Sequence, residues 1–356
     1  PPFGSYCKIH LYLAIWLLSL AFLTGCAGSV FRHTNENWPE VVHNDAYHQL
    51  ALESAENTRS GGKAYDFQQF LSEEGYDPFG DYMNWGENKL NQYRETETLT
   101  FDENGVVMVK CKDGLFHYNP VTAAQQALSN YGAYLRGQDT KELFLKIADF
   151  LLDMEEENGS FPYPFDYSYY IDSERYYKAG WTSAMATGNI LSVFARSYHL
   201  TNDPKYVEGA VRAITFLNVP IEEGGTKASL AALDPSLERY TILEEYPCNP
   251  PTYTLNGNMF TLIGLYDWSQ TGAEGSERAK ELFDDGIRTL EKILPYYDIG
   301  GFTCYDLAHI TWNRELPHVN ISYHFVHVAF CKIFYDITGI ETFNNFYTLW
   351  ASYIVA

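Results

Sequence analysis

Positive charge is scarce in this chain: 24 Lys and Arg stand against 46 Asp and Glu, a formal charge of −22. Such a surface repels nucleic acid and acidic polymers at long range. No nucleic acid is therefore expected as a partner, and an anionic ligand must be gripped by a local cluster of Arg, Lys or amide donors. Paired cysteines are missing as well. Cys111, Cys248, Cys304 and Cys331 are widely separated and none forms a C-x-x-C unit, so the spacing of a zinc site is absent and no metal is expected. Gly224-Gly225 is too short for a phosphate loop and no nucleotide fingerprint occurs, so no cofactor is expected.

The apolar run Ile9–Leu23 follows Lys8, closes with Leu23-Thr24-Gly25-Cys26 and leads into Ala27-Gly28-Ser29. It is short for a spanning helix, and its small-residue end suits cleavage. Residues 1–26 are read as a lipoprotein signal with Cys26 as the lipidated residue; a permanent membrane anchor is the alternative. The expectation is a lipid-anchored bacterial protein outside the cytoplasm, in the periplasm or at the cell surface. In such a compartment Cys248 and Cys304, each beside a motif described below, are open to a disulfide or to remaining free thiols.

Residues 27–95 are acidic, polar and poor in periodicity, and are read as a tether and an irregular lead segment. Thr98–Phe101 and Val106–Val109 flank Asp102-Glu103-Asn104-Gly105, a hairpin signal with an Asn-Gly turn, so residues 96–118 are expected to be a small β element. From residue 119 the period turns helical. Helical pairs are expected at Pro120–Arg136 with Lys141–Glu156, Ala184–Leu200 with Pro204–Leu217, Leu255–Ser269 with Ser276–Leu294, and Tyr323–Thr338 with Glu341–Ile354. Their turns recur about every 65–70 residues, longer than common short solenoid repeats. The fold class is thus mainly α, with residues 119–356 as an α/α toroid of about four helical hairpins. One helix of each pair lines a cavity, and the inter-hairpin loops gather at one mouth.

Those loops hold Trp181-Thr182-Ser183-Ala184-Met185-Ala186, Leu243-Glu244-Glu245-Tyr246-Pro247, Leu255-Asn256-Gly257, Cys304-Tyr305-Asp306-Leu307 and Tyr323-His324, with Leu262-Ile263-Gly264-Leu265-Tyr266-Asp267 further along. In order and spacing these motifs resemble the C-terminal domain of D-glucuronyl C5-epimerases. The resemblance implies an α/α barrel after β-rich material, conversion of D-glucuronyl to L-iduronyl units in a heparosan-like uronate polysaccharide, and a homodimer in eukaryotic members. It implicates Glu245, Tyr246, Tyr305 and Tyr323 in catalysis and Asn256 in substrate contact. Where the family commonly has Arg and an aromatic residue, this chain has Ala308 and Asn258.

Inverting carbon 5 needs a base on one face of the sugar and an acid on the other. An ordinary Glu is ionised at neutral pH and an ordinary Tyr is protonated, so Glu245 and Tyr323 are read as the opposed pair. Tyr246 and Tyr305 are placed to assist by hydrogen bonding a Tyr323 phenolate. The substitution at Ala308 leaves the substrate carboxylate without its implied partner; Arg196, Lys178, Lys227, His309 and Arg314 are the candidates, with Arg196 read as either a bidentate carboxylate contact or a helix-surface ion pair. Trp181 is read as cavity wall, Tyr176, Tyr177 and Tyr253 as sugar-stacking candidates, and His324 as a sugar contact or, with His327, a hydrogen-bonded structural pair. Glu244 is assigned a solvent-facing or structural role and Asp306 a loop-orienting one. A polysaccharide lyase is the nearest alternative, since the same carbanion can expel the 4-oxygen substituent. A glycan-binding lipoprotein is the non-enzymatic one. A glycoside hydrolase would call for two carboxylates across the bond, and only Glu245 stands out.

Overall fold

The structure, a computed structural model, describes residues 45–60, 67–88, 93–169 and 176–353. Cys26 and the rest of the proposed signal lie outside them. Helix α1 (Asp45–Ser60) and the short α2 (Trp85–Asn88) precede a three-stranded antiparallel sheet, β1 (Leu99–Phe101), β2 (Val107–Lys110) and β3 (Phe116–Tyr118). Phe101 pairs with Val107, so the loop between β1 and β2 is longer than a two-residue primed turn. Gly105, at φ +82°, supplies the left-handed residue that closes such a loop. Asp102 fixes it by accepting the Asn104 and Val106 amides.

The expected helical pairs follow: α3 (Pro120–Leu135) with α4 (Lys141–Met154), α5 (Ala184–Thr201) with α6 (Pro204–Leu217), α7 (Leu255–Ser269) with α8 (Ser276–Tyr297), and α10 (Ile321–Thr338) with α11 (Glu341–Ser352). The small α9 (Ala308–Thr311) sits in the loop before α10. Starts are set locally. Asn119 caps α3 ahead of Pro120, Asp203 caps α6 ahead of Pro204, and Asn320 caps α10, each satisfying an amide the helix itself cannot.

Helices α3, α5, α7 and α10 form the inner layer in that order, each packed on the next. Their apolar residues run round the whole circumference, and α7 is buried from Leu255 to Leu265. The outer α4, α6, α8 and α11 instead bury one stripe each, as a helix with one wet face should. Backbones of α5 and α7 meet at glycines: a Cβ on Gly264 would lie 2.0 Å from the Gly188 carbonyl oxygen.

The expected irregular lead segment is instead part of this α/α toroid. Residues 67–70 pack on α10, while residues 82–84 and α2 pack on α3, so this stretch bridges the first and last inner helices. Tyr131 donates to the Phe79 carbonyl (2.7 Å) and the Gly86 amide to Asp81 (2.9 Å). Single helical turns carry no periodicity, which is why the sequence conceals them. Ser54 of α1 accepts the Ile321 amide at the start of α10. Among the described residues no helix is long and apolar enough to cross a membrane.

Candidate active site

Three inner helices begin at one mouth. The loops entering them are stitched together: Ala184 donates its amide to the Glu244 carbonyl (2.9 Å), Glu244 its own to Thr226 (2.7 Å), and Leu255 its own to Tyr305 (3.1 Å). Antiparallel pairs β4 (Tyr167–Ser168) with β5 (Tyr176–Tyr177) and β6 (Lys227–Ser229) with β7 (Thr241–Leu243) frame the loops.

Strand β7 delivers two glutamates with separate tasks. Glu244 is fully buried and accepts the Tyr253 amide at 2.9 Å; burial pushes its carboxyl up to about 8. It fastens the loop before α7. Glu245 is 8% exposed and accepts the Tyr305 hydroxyl at 3.2 Å. Burial pushes its carboxyl up to about 7, with the Tyr246 and Tyr305 hydroxyls pulling the other way. Tyr246 and Tyr305 thus both serve the carboxylate.

Tyr323, in the first turn of α10, lays its ring 4.5 Å from that of Tyr305. Tyr246 stacks near-parallel to Tyr167 at 5.6 Å and to Trp181 at 6.2 Å, and Trp181 lies on Tyr163 at 3.8 Å. Burial first, then the Glu245 charge, hold the Tyr246 phenol well above its ordinary range, so it donates rather than ionises. Glu245, Tyr246, Tyr305 and Tyr323 are therefore brought into one cluster, with Trp181 as its wall.

Asn256 opens α7 beside them. It is 1% exposed, and neither its carboxamide oxygen nor its nitrogen meets a hydrogen-bond partner among the described residues. Buried orphan polar atoms of this kind cost about 1–3 kcal/mol each, which points to a ligand that pairs with them. Asn258 accepts the Leu243 amide at 3.1 Å and holds β7 to the helix.

Other candidates belong elsewhere. Arg196 is neither a substrate contact nor a surface pair. It is wholly enclosed near the far end of α5, with Asp267 at 2.7 Å and the carbonyls of Gly80 and Ser192 as acceptors; burial opposes its charge, but Asp267 and Tyr76 hold it protonated. Lys178 is exposed and paired with Asp166. Lys227 donates to Asn218, whereas His309, edge-on to Tyr47, stays near Asp306 with burial lowering its ring. His324 is not a sugar contact: it is buried, bonded to Thr303 (2.8 Å) and to the Trp350 carbonyl (3.1 Å), and burial lowers its ring to about 4. His327 shares the same Thr303 hydroxyl at 3.0 Å, which makes the two a structural pair. Tyr253 is buried with its hydroxyl on the Ser229 carbonyl, so no sugar can stack on it. All four described cysteines are free.

Three residues went unnoticed in the sequence. Tyr169 gives its hydroxyl to Asp306 at 2.7 Å and meets Tyr246 edge-on at 5.1 Å. Trp312 meets Tyr169 at 5.4 Å. His318 stands 3.6 Å from Asp306 and edge-on to Tyr305 at 4.8 Å. Nothing in local pattern singles out one Tyr among 29, and the other two are joined to the site by contacts distant in sequence.

A family model described as the D-glucuronyl C5-epimerase C-terminus matches residues 154–352. A D-glucuronyl C5-epimerase of Caenorhabditis elegans is 30% identical over 228 residues, covering 61% of this chain and 36% of the worm protein. An uncharacterised protein of Methanocaldococcus jannaschii is 27% identical over 201 residues, 56% of this chain and 60% of its own. Among solved structures, a family 76 glycoside hydrolase from a bovine Bacteroides thetaiotaomicron strain aligns with a TM-score of 0.39 at 13% identity, covering 64% of this chain and 44% of the hydrolase. The family match takes in every residue of the cluster from Glu245 to Tyr323, and on it this chain belongs to the D-glucuronyl C5-epimerase family.

Proposed function

We propose that this protein is a cofactor-independent isomerase that epimerises carbon 5 of uronosyl units in a polysaccharide, D-glucuronyl to L-iduronyl in a heparosan-like chain. The observation that carries this reading is the buried Glu245 carboxyl bonded to the Tyr305 hydroxyl, whose ring lies against that of Tyr323; burial pushes that carboxyl up to about 7. A base is most effective when its pKa lies near the working pH. Glu245 takes the proton from carbon 5, and the bonding pair moves into the adjoining carboxylate as an enediolate. Tyr323 delivers its phenolic proton to the opposite face of carbon 5, collapsing the enediolate. The cycle leaves Glu245 protonated and Tyr323 as phenolate. Tyr305, bonded to one and with its ring tilted against the other at 4.5 Å, is placed to help return that proton. Asn256 pairs with the sugar, and Trp181 walls the site.

Attachment through a lipid on Cys26, a location outside the cytoplasm and a homodimer rest on the sequence alone and belong to the same proposal. The test is proton NMR of the protein with heparosan in deuterated water. Deuterium at carbon 5 with iduronate signals is expected, and its loss in Glu245→Gln and Tyr323→Phe. Alkene signals would instead identify a lyase, and tight binding without exchange a glycan-binding protein.

A further inference from the structure

Proton removal beside a carboxylate creates a second negative charge on the substrate, next to Glu245 and the buried Asp306. Some cation must answer it. Arg196 is consumed by Asp267, and Lys178 stands exposed with Asp166. We infer that His318, held by Asp306, is the cation that grips the substrate carboxylate and stabilises the enediolate formed from it; this rests on the proposed epimerase reading.

The backbone fixes where His318 stands. Tyr305 donates its amide to the His318 carbonyl at 2.8 Å, and Cys304 bridges Val319 as adjacent strands do. The ring therefore lies edge-on to Tyr305, 4.8 Å away, and Tyr305 in turn touches Glu245. Asp306 supplies the carboxylate beside this position. It is fully buried and already accepts the Tyr169 hydroxyl and the Ala308 amide, and a buried carboxylate is stable only with hydrogen bonds and a countercharge. The His318 Nδ1 stands 3.6 Å from the Asp306 Oδ2. At 19% exposure the ring is still reachable by a ligand. The rival, Arg314, sits over the Trp312 ring at 5.3 Å, and Trp312 meets Tyr169.

The test uses His318→Gln, His318→Arg and Arg314→Gln in the full chain. Carbon 5 exchange is read as kcat and KM, and affinity is measured for heparosan oligosaccharides and for the same oligosaccharides with their carboxylates reduced to alcohols. Loss of one charged hydrogen bond predicts a roughly tenfold or larger fall in kcat/KM for His318→Gln, with recovery in His318→Arg. It also predicts weaker binding of the carboxylate form alone, and Arg314→Gln within about twofold of the parent. A merely structural His318 would weaken both oligosaccharides alike and gain nothing from Arg, which would overturn the inference. A larger loss in Arg314→Gln would overturn it too. If the parent shows no exchange but binds carboxylated oligosaccharide through His318, the epimerase reading fails while the carboxylate site stands.

Discussion

Gly257 lies directly against Glu245: a Cβ at position 257 would come within 2.5 Å of both the Cβ and Oε2 of that carboxylate. The first turn of α7 thus has a hollow, and the acidic side chain fills it. Glu245 reaches the Tyr305 hydroxyl from there while remaining almost sealed from water. Burial and an elevated pKa follow from the same packing.

Gly257→Ala should displace the carboxylate without unfolding the chain, because Gly257 sits at ordinary helical φ. Overpacking of this kind costs roughly 1–3 kcal/mol of stability. Misplacing a catalytic group by about 1 Å costs on the order of a hundredfold in rate. Urea unfolding and carbon 5 exchange measured together would show a rate loss far larger than the stability loss implies. Full exchange activity in the variant would mean that Glu245 does not need this seat.

Glu245 should cost the fold stability at neutral pH. Its carboxyl is raised from an ordinary 4.5 to about 7 by burial, so the folded state holds the proton more tightly than the unfolded chain. The penalty is absent below the unfolded value, grows as pH rises from there, and is complete above about 7. Glu245→Gln should therefore be nearly neutral at pH 4 and stabilising by about 3 kcal/mol at pH 8, since each tenfold difference in proton affinity between the two states is worth about 1.4 kcal/mol. The Glu245 charge also helps to raise the Glu244 carboxyl, so relief of Glu244 adds to the gain in the same direction. Equal effects of the substitution at both pH values would argue against a buried, raised Glu245.

Much of the scaffold is legible in sequence, and for a physical reason. Pro120, Pro204 and Asn320 mark helix starts chemically, and a 3.6-residue period survives wherever a helix has one wet face. Helix α8 runs on to Tyr297 although Pro295 suggests a stop at Leu294, since a proline so near the end forfeits little. The bridging turns at residues 67–88 escape because they bury isolated side chains. At the site, Glu245, Tyr246, Tyr305 and Tyr323 are visible as motifs. The loop-orienting task of Asp306 is legible and is met by the Ala308 amide; the place of His318 is not, because it depends on pairing between residues 304–305 and 318–319. Arg196 shows the limit most plainly: a lone Arg on an apolar helix reads as functional until Asp267 is found facing it.

Exchange at carbon 5 should rise about tenfold per pH unit below the Glu245 pKa and level off above about 7, since only the ionised form removes a proton. Profiles of kcat/KM from pH 5 to 9 read this limb directly. A rate already flat from pH 5 upward would place the base elsewhere.

Thr303 is expected to be structural, through the two histidines it serves. Thr303→Val leaves the ring nitrogens of His324 and His327 that face it without their shared hydroxyl, at about 1–3 kcal/mol for a buried group left unpaired. Exchange per folded molecule should be unchanged in thermal and kinetic assays run side by side. A fall in kcat with stability intact would return His324 to the active site.

The Arg196–Asp267 pair separates scaffold from chemistry most cleanly. Arg196 lies about 18 Å along α5 from the end that faces Glu245, at 1.5 Å per residue. Its guanidinium is sandwiched toward the rings of Tyr82 and Tyr131 and bonded to the Gly80 carbonyl, so it ties α5 to the bridging segment and, through Asp267, to α7. Arg196→Met strands a buried carboxylate, and Asp267→Leu strands a buried guanidinium; each should cost about 3–5 kcal/mol. The double variant removes both charges and should recover much of that loss, since desolvating an ion pair offsets most of its attraction. Each folded variant should retain parental kcat and KM. If Arg196→Met instead raised KM for the uronate polymer while the double variant matched it in stability, the guanidinium would be acting on substrate, and the assignment of the carboxylate grip to His318 would have to be abandoned.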